Sequence, residues 1–543
     1  MKRHLIIWAA SAAAASLILT GGNPEAASAA ETPYYGKEYS QPQQVLDLYP
    51  ELEPQVMTPA FSRKGEAFTS QEEMEEYVDD LQKRTSHLTV KEIGKSESGR
   101  SILGLYFSKD KKIYPSSLSR KPTVWLQGQI HGNEPAAGEA VLAMAKKLSG
   151  KFGNDVLDHI NVIIVPRVNP DGSYLFSRQL KNGLDGNRDH VKLETRELQA
   201  IHSEFNKFMP EVVIDAHEYG AGQEFSKLGL LKYHDVLLLS GKNLNIPERI
   251  RNISDELYIE DTEEALDQQG FSNEPYYTAV LSSSNEIELE EGSTEARIGR
   301  NSFGLSPAIS FLVETRGIGI GRENFTRRVA AQIATHENLI KTTADNARKV
   351  KVQVAGERLK LVKKGLLPND RDKIVIDSEN TAVQGKTLEM IDIEEGRVKE
   401  VPVKYKSASD AKATLVRERP TAYILEPGQE EAAKKLRNQG LKSFTLRKDK
   451  TLPLEVFTVS NKKEDRLYEG IQLHEISAEI SKQKRTLKKG SIIFLTAQPQ
   501  SNLLSLSLEP ESVDSYESFG FIPSEKGKQL PVYRYMEDLR QLK

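Results

Sequence analysis

Cysteine is absent from all 543 residues. That removes disulfides, thiolate nucleophiles, iron–sulfur clusters and cysteine-ligated zinc. Positive charge is not in excess either. The chain has 74 Lys and Arg against 78 Asp and Glu, a formal net charge of -4, so no global basic field can hold nucleic acid. Long apolar runs are scarce. The stretch Leu5 to Leu19 is apolar or small throughout, but a membrane span needs about 20 such residues. It follows Lys2 and Arg3 and precedes Gly21, Gly22, Pro24 and Ala27-Ser28-Ala29. This order predicts a secretory signal peptide over residues 1–29, cleaved near Ala29 or Ala30. Stable membrane insertion is not expected after cleavage, and export without cysteine points to a bacterial secreted protein, extracellular or cell-wall associated.

What is present is a globular composition, 38% hydrophobic and 28% charged, long enough for two to four compact units at about 100–200 residues each. Residues 30–65 are rich in Pro, Tyr and Gln without a period, and read as a linker, a short pro-segment or a wrapping arm. In SQEEMEEYVDDLQKRTS, Met74, Tyr77, Val78 and Leu81 fall at helical spacing behind Ser70 as N-cap. LTVKEIGKSESGRSILGLYFS then suits a hairpin. From 121 to 345, apolar runs TVWLQGQ, NVIIVPRVN, EVVIDAH and AISFLVET alternate with helical segments. The pattern predicts an α/β unit over 66–346, with a mixed, largely buried sheet flanked by helices. Residues 347–543 read as a mostly β accessory region, possibly two small modules. Its β-like runs include VKVQVAGERLKLV, DKIVIDS, TLEMIDI, AYILEP, LEVFTVS and GSIIFLTA.

Chemistry concentrates at the ends of the strands. His131 and Glu134, in QGQIHGNEPAAGE, are three residues apart between a strand and a helix. His217 ends EVVIDAH. Imidazole and carboxylate suit zinc, which needs three protein ligands and an open position. Ligands beyond the carboxyl ends of strands also fit the site rule for open α/β sheets. NPDG (169–172) is a turn after a strand. GLDGNRDH packs Asp185, Asn187 and Arg188 together, and an Asn beside an Arg can bind a carboxylate. Glu314 ends AISFLVET, where a carboxylate must stay hydrated, pair or work. Arg316 is a candidate partner for it. Five Glu between 286 and 295 read as a solvated loop, a Ca²⁺ patch or a bias toward basic substrates.

In this order, HGNE, NPDG, DGNRD, DAH and FLVET resemble the M14 zinc metallocarboxypeptidases, the carboxypeptidase A-like superfamily, over roughly residues 65 to 345. The resemblance implies one Zn²⁺ per chain on His131, Glu134 and His217, with Glu314 as general base. It implies that Arg178 polarises the scissile carbonyl, that Asn187 and Arg188 bind the substrate's terminal carboxylate, and that Asp185 orients His131. The family's closing tyrosine has no counterpart between Thr278 and Glu314, leaving Tyr276 and Tyr277 as the nearest candidates upstream. DGNRDH also departs from the NRNW or NRNF form. The implied activity is release of C-terminal residues from a peptide or cell-wall peptide substrate, with no nucleic-acid partner. The competing readings are a stem-peptide endopeptidase or amidase, or an N-acyl amino acid deacylase, on the same scaffold. A third is a secreted binding protein with a degenerate site.

Overall fold

β-Branched and aliphatic runs bounded by Gly, Pro and Asn form the strands. A computed structural model describes residues 36–62, 67–110, 112–368 and 371–542; the expected signal peptide lies outside them. Eight strands make the central sheet: β1 (Leu88–Lys95), β2 (Ser101–Phe107), β3 (Thr123–Gly128), β4 (Asn161–Val165), β5 (Val212–Gly220), β6 (Val236–Ser240), β7 (Asn273–Pro275) and β8 (Ile309–Ile318). Their order is β1-β2-β4-β3-β5-β8-β6-β7. β4, β3, β5 and β8 are mutually parallel. β2 and β6 flank them antiparallel, and β1 and β2 form the expected hairpin.

Alternation along these strands sends side chains to two layers. Val124, Leu126, Val162, Ile164, Val212 and Ile214 join the core built on helices Pro135–Leu148 and Phe325–Asp345. Trp125, Ile163, Val165 and Val213 join the core under helix Arg196–Phe208. Each fully buried aliphatic side chain contributes about 1.5–3 kcal/mol. Helix Gln71–Arg84 starts where the sequence predicts. Ser70 accepts from the Glu73 N–H, and Glu73 accepts from the Ser70 N–H, closing a reciprocal cap.

The C-terminal region is β-rich, with a six-stranded sheet that includes the long hairpin strands Lys450–Tyr468 and Ile471–Leu487. One expected strand is helical. VKVQVAGERLKLV lies within Ala347–Leu366, which buries Val350, Val354 and Leu361 at helical spacing. Its β-branched composition misleads where its period does not.

The packing has no break at 346. Ile287–Glu290 pairs in parallel with Lys404–Glu418, and Leu230–Lys232 pairs with Thr387–Asp392. The described residues fall in one compact unit. The segment expected as a linker is fastened from residue 37 onward: Lys37 bridges Ile320 and Gln41 bonds Glu323, Asn324 and Arg316. Among the described residues, no helix is long and apolar enough to cross a membrane.

Burial leaves a pH-dependent signature. His336, fully buried on helix Phe325–Asp345, has no hydrogen-bond partner at either ring nitrogen among the described residues, and burial holds its pKa down at about 3. The unfolded value is about 6.5, so between these limits the unfolded chain carries the extra proton. His336 therefore costs no stability above about 6.5, and progressively destabilises the fold as pH falls toward 3. His336→Leu should flatten the slope of unfolding free energy between about pH 6 and 4 by about 1.4 kcal/mol per unit. Urea titrations at several pH values check this, and an unchanged slope would mean that His336 titrates normally.

Candidate active site

The site is built on strand register. Glu314 of β8 lies opposite His217 of β5, and Asp215 of β5 lies opposite Gln127 of β3. His217 and Glu314 both project on the side away from Ile214, Ala216 and Val313, which belong to the other core. His131 comes three residues after β3. Glu134 caps helix Pro135–Leu148 with Pro135 at its first position, where proline is well tolerated and the helix dipole favours a carboxylate.

A close backbone approach fixes the HGNE loop. A Cβ on Gly132 would stand 1.9 Å from the carbonyl carbon of Gly172 in NPDG, so HGNE needs glycine there because the two main chains touch. Asn169 of NPDG accepts from the Gly172 N–H and donates to the Ile130 and Gln179 carbonyls. Asp171 receives Ser96, the Ser98 N–H and Arg100 from the β1–β2 turn. NPDG is therefore a clamp as well as a turn.

His131, Glu134 and His217 converge. His131 Nδ1 is 2.7 Å from Glu134 Oε1, His217 Nδ1 is 3.0 Å from Glu134 Oε2, and the two Nδ1 atoms are 3.2 Å apart. All three residues are at most 2% exposed. Donors about 2.0–2.2 Å from a tetrahedral zinc stand about 3.4 Å from one another, so this donor set fits the ion. The far ring nitrogens are held by carboxylates: His131 Nε2 is 3.0 Å from Asp185 Oδ1, and His217 Nε2 is 3.2 Å from Asp215 Oδ2. A chain from Trp125 through Gln127 fixes Asp215. Such partners set tautomer and ring orientation. Asp185 also takes two hydrogen bonds from Arg178, through Nε and Nη2. That leaves Arg178 Nη1 3.6 Å from Glu134 Oε1.

Residues 74–209 match the family model for zinc carboxypeptidase, Peptidase M14. Carboxypeptidase 2 of Trichophyton equinum is 33% identical over 488 residues, covering 89% of this chain and 89% of that protein. Carboxypeptidase 2 of Trichophyton rubrum aligns to the same extent. The chain belongs to the M14 zinc carboxypeptidase family. A solved metallo-carboxypeptidase from Burkholderia cenocepacia superposes with a TM-score of 0.39 at 18% identity, over 50% of this chain and 70% of that one. Both Trichophyton relatives are fungal, which gives the expected bacterial source no support.

The two carboxylates of this zinc carboxypeptidase sit in opposite electrostatic settings. Burial raises the carboxyl of Glu134, but His131 and His217 outweigh it and hold it ionised, at about 2. Burial pushes Glu314 up to about 7. Environments that drive two carboxyls apart mark an acid/base assignment. Glu218, next to His217 in sequence, is committed elsewhere: it pairs with Arg328 at 2.5 Å and accepts from the Ala136 N–H.

Several expectations change. Arg316 does not pair with Glu314; it donates to Gln41 and to the Lys232 carbonyl. Asn187 is 5% exposed, accepts from the Gly299 N–H at 2.8 Å, and has Nδ2 3.4 Å from His217 Nε2, so its amide braces the loop. The Glu run is structural. Glu286 pairs with Lys404, Glu290 accepts from Asn380, and Glu291 accepts from Ser407 and Ser409.

Three residues near the site carry no signal in sequence spacing. The charges of Glu314, Arg300, Arg188 and Arg178 all act on Tyr276, whose ring also packs against the apolar cluster that contains Tyr277. Arg300 stacks 5.6 Å from the Tyr276 ring. Glu469, at the tip of the C-terminal hairpin, accepts from the Asp185 N–H at 2.8 Å and pairs with buried Lys192.

Proposed function

We propose that His131, Glu134 and His217 hold one zinc ion, and that the enzyme releases single residues from peptide C-termini. The observation that carries this reading is the register pair of Glu314 and His217, which sets a raised carboxyl beside a tight His–Glu–His donor set. Bound there, zinc supplies Lewis acidity toward a carbonyl and toward water. Glu314 takes the proton of the attacking water and returns it to the leaving amine. Arg178, anchored by Asp185, presents Nη1 to the oxyanion that develops on the scissile carbonyl. Arg188 holds the terminal carboxylate through its fork, and Asn187 fixes the loop that presents it. Of the two upstream tyrosines, we take Tyr276, 5.6 Å from Arg300, as the closing one. The sequence of residues 1–29 supports export.

His217→Ala should lose zinc to a mild chelator while wild type retains it, as metal analysis after dialysis would read. Full occupancy in the variant would remove His217 from the ligand set. Arg188→Ala should lower kcat/KM on free C-termini by about 30-fold or more, because a buried charge pair loses about 2–5 kcal/mol with one partner. Arg188→Lys should rescue only part of it. Amidated peptides should be poor wild-type substrates. Equal cleavage of free and amidated peptides would convert the reading to an endopeptidase or amidase.

A further inference from the structure

Arg300 occupies an unusual position for a cation. It lies in the first turn of helix Gly299–Leu305 and is 3% exposed. Among the described residues its side chain makes one hydrogen bond, from Nη2 to the Ser293 carbonyl at 3.1 Å, and its buried Nε has no partner. A buried guanidinium without a matching anion is strongly unfavourable. The surroundings are nevertheless shaped for it. Gly292 has a left-handed φ of 54°, and a Cβ there would stand 2.3 Å from Arg300 Nη2.

Burial and Arg188 oppose the charge of Arg300, while Tyr276, Glu314 and Glu291 favour it. Glu291 accepts from Ser407 and Ser409 and makes no direct ion pair with Arg300 among the described residues. Arg188 likewise donates only to a backbone carbonyl, that of Asn187, among the described residues. Arg300 lies 5.6 Å from the Tyr276 ring, and Gly299 just before it is tied to Asn187, whose amide reaches His217, so two guanidiniums without carboxylate hydrogen-bond partners belong to segments that border the donor set. One substrate carboxylate satisfies one of them. The second calls for a second anion on the same substrate residue.

We propose that Arg300 receives the side chain of the released residue and selects peptides ending in Glu or Asp. This rests on the reading of Arg188 as the clamp for the terminal carboxylate. A site built for a charged group rejects a neutral isostere because its own buried partner is then left unpaired. The five Glu of the 286–295 run do not oppose this.

The test uses the zinc-loaded full chain and N-blocked dipeptides ending in Glu, Gln, Leu or Arg, each with a free or amidated C-terminus. Wild type should favour Glu over Gln by about 30-fold or more in kcat/KM. Arg300→Gln should bring that ratio near one by slowing the Glu peptide, with the Leu and Gln peptides little changed. N-Acetylglutamate should bind the wild type more tightly than N-acetylglutamine in calorimetry, a readout independent of turnover and of the variant's folding. Equal wild-type rates on Glu and Gln, or an Arg300→Gln defect shared by all four peptides, would overturn the assignment while leaving the carboxypeptidase reading intact. Equal cleavage of amidated peptides would overturn both.

Discussion

Glu314→Gln should retain the fold and the zinc and lose turnover by about 10²–10⁴-fold, the range expected when a positioned general base is removed. Gln matches Glu in size, so the register with His217 and the core beneath are undisturbed. What disappears is the capacity to accept a proton. No hydrogen bond to the Glu314 carboxylate occurs among the described residues, so the substitution breaks no structural contact. The nearest alternative base, Glu218, is tied into an ion pair with Arg328. Burial places the Glu314 carboxyl at about 7 in the metal-free chain, and a nearby cation favours its ionised form. The acid limb of kcat/KM should therefore lie at or below about 7 and vanish with the variant. Metal analysis, thermal unfolding and steady-state kinetics on one preparation would check all three statements. Near-normal kcat would place the base elsewhere.

A chain cut after Val350 should fail to give a soluble zinc protein. Arg297 is fully buried and pairs with Asp514 at 2.5 Å, and Lys192 is fully buried and pairs with Glu469 at 3.1 Å. Truncation removes both acids. It also removes Tyr468 and Phe519, which lie over both cations, so ion pairs and apolar cover are lost together from a fold whose typical total stability is about 5–15 kcal/mol. The loss is compounded because two sheets surrender their partners and expose edges. Arg358, also removed, donates to the Pro307, Met209 and Pro210 carbonyls near β5 and β8. Sedimentation and metal content of the shortened chain decide the matter. A monomeric, zinc-bound product would establish 347–543 as a separable accessory.

The parallel strands are legible in sequence because burial on both faces demands continuous aliphatic runs; β3 ends just before chemistry, whereas β5 and β8 run on past His217 and Glu314 to Gly220 and Ile318. HGNE and DAH are legible for the same reason. Arg300 and Glu469 are not. Each comes from a segment without periodicity, and each acquires its setting through contacts between residues far apart in the chain. Gly132 stands between these cases: the motif is visible, but its cause, the main chain of Gly172, exists only in three dimensions. In the helix Ala347–Leu366 the spacing of Val350, Val354 and Leu361 carries the true signal, and the β-branched composition masks it.

The hairpin tip at Glu469 carries a consequence in time. Synthesis from the N-terminus at about 5–20 residues per second delivers Glu469 roughly 20–70 s after His131. Until then the Asp185 N–H lacks its anchor and Lys192 lacks its counter-charge. The segment that orients His131 is thus completed by one of the last parts of the chain to be made.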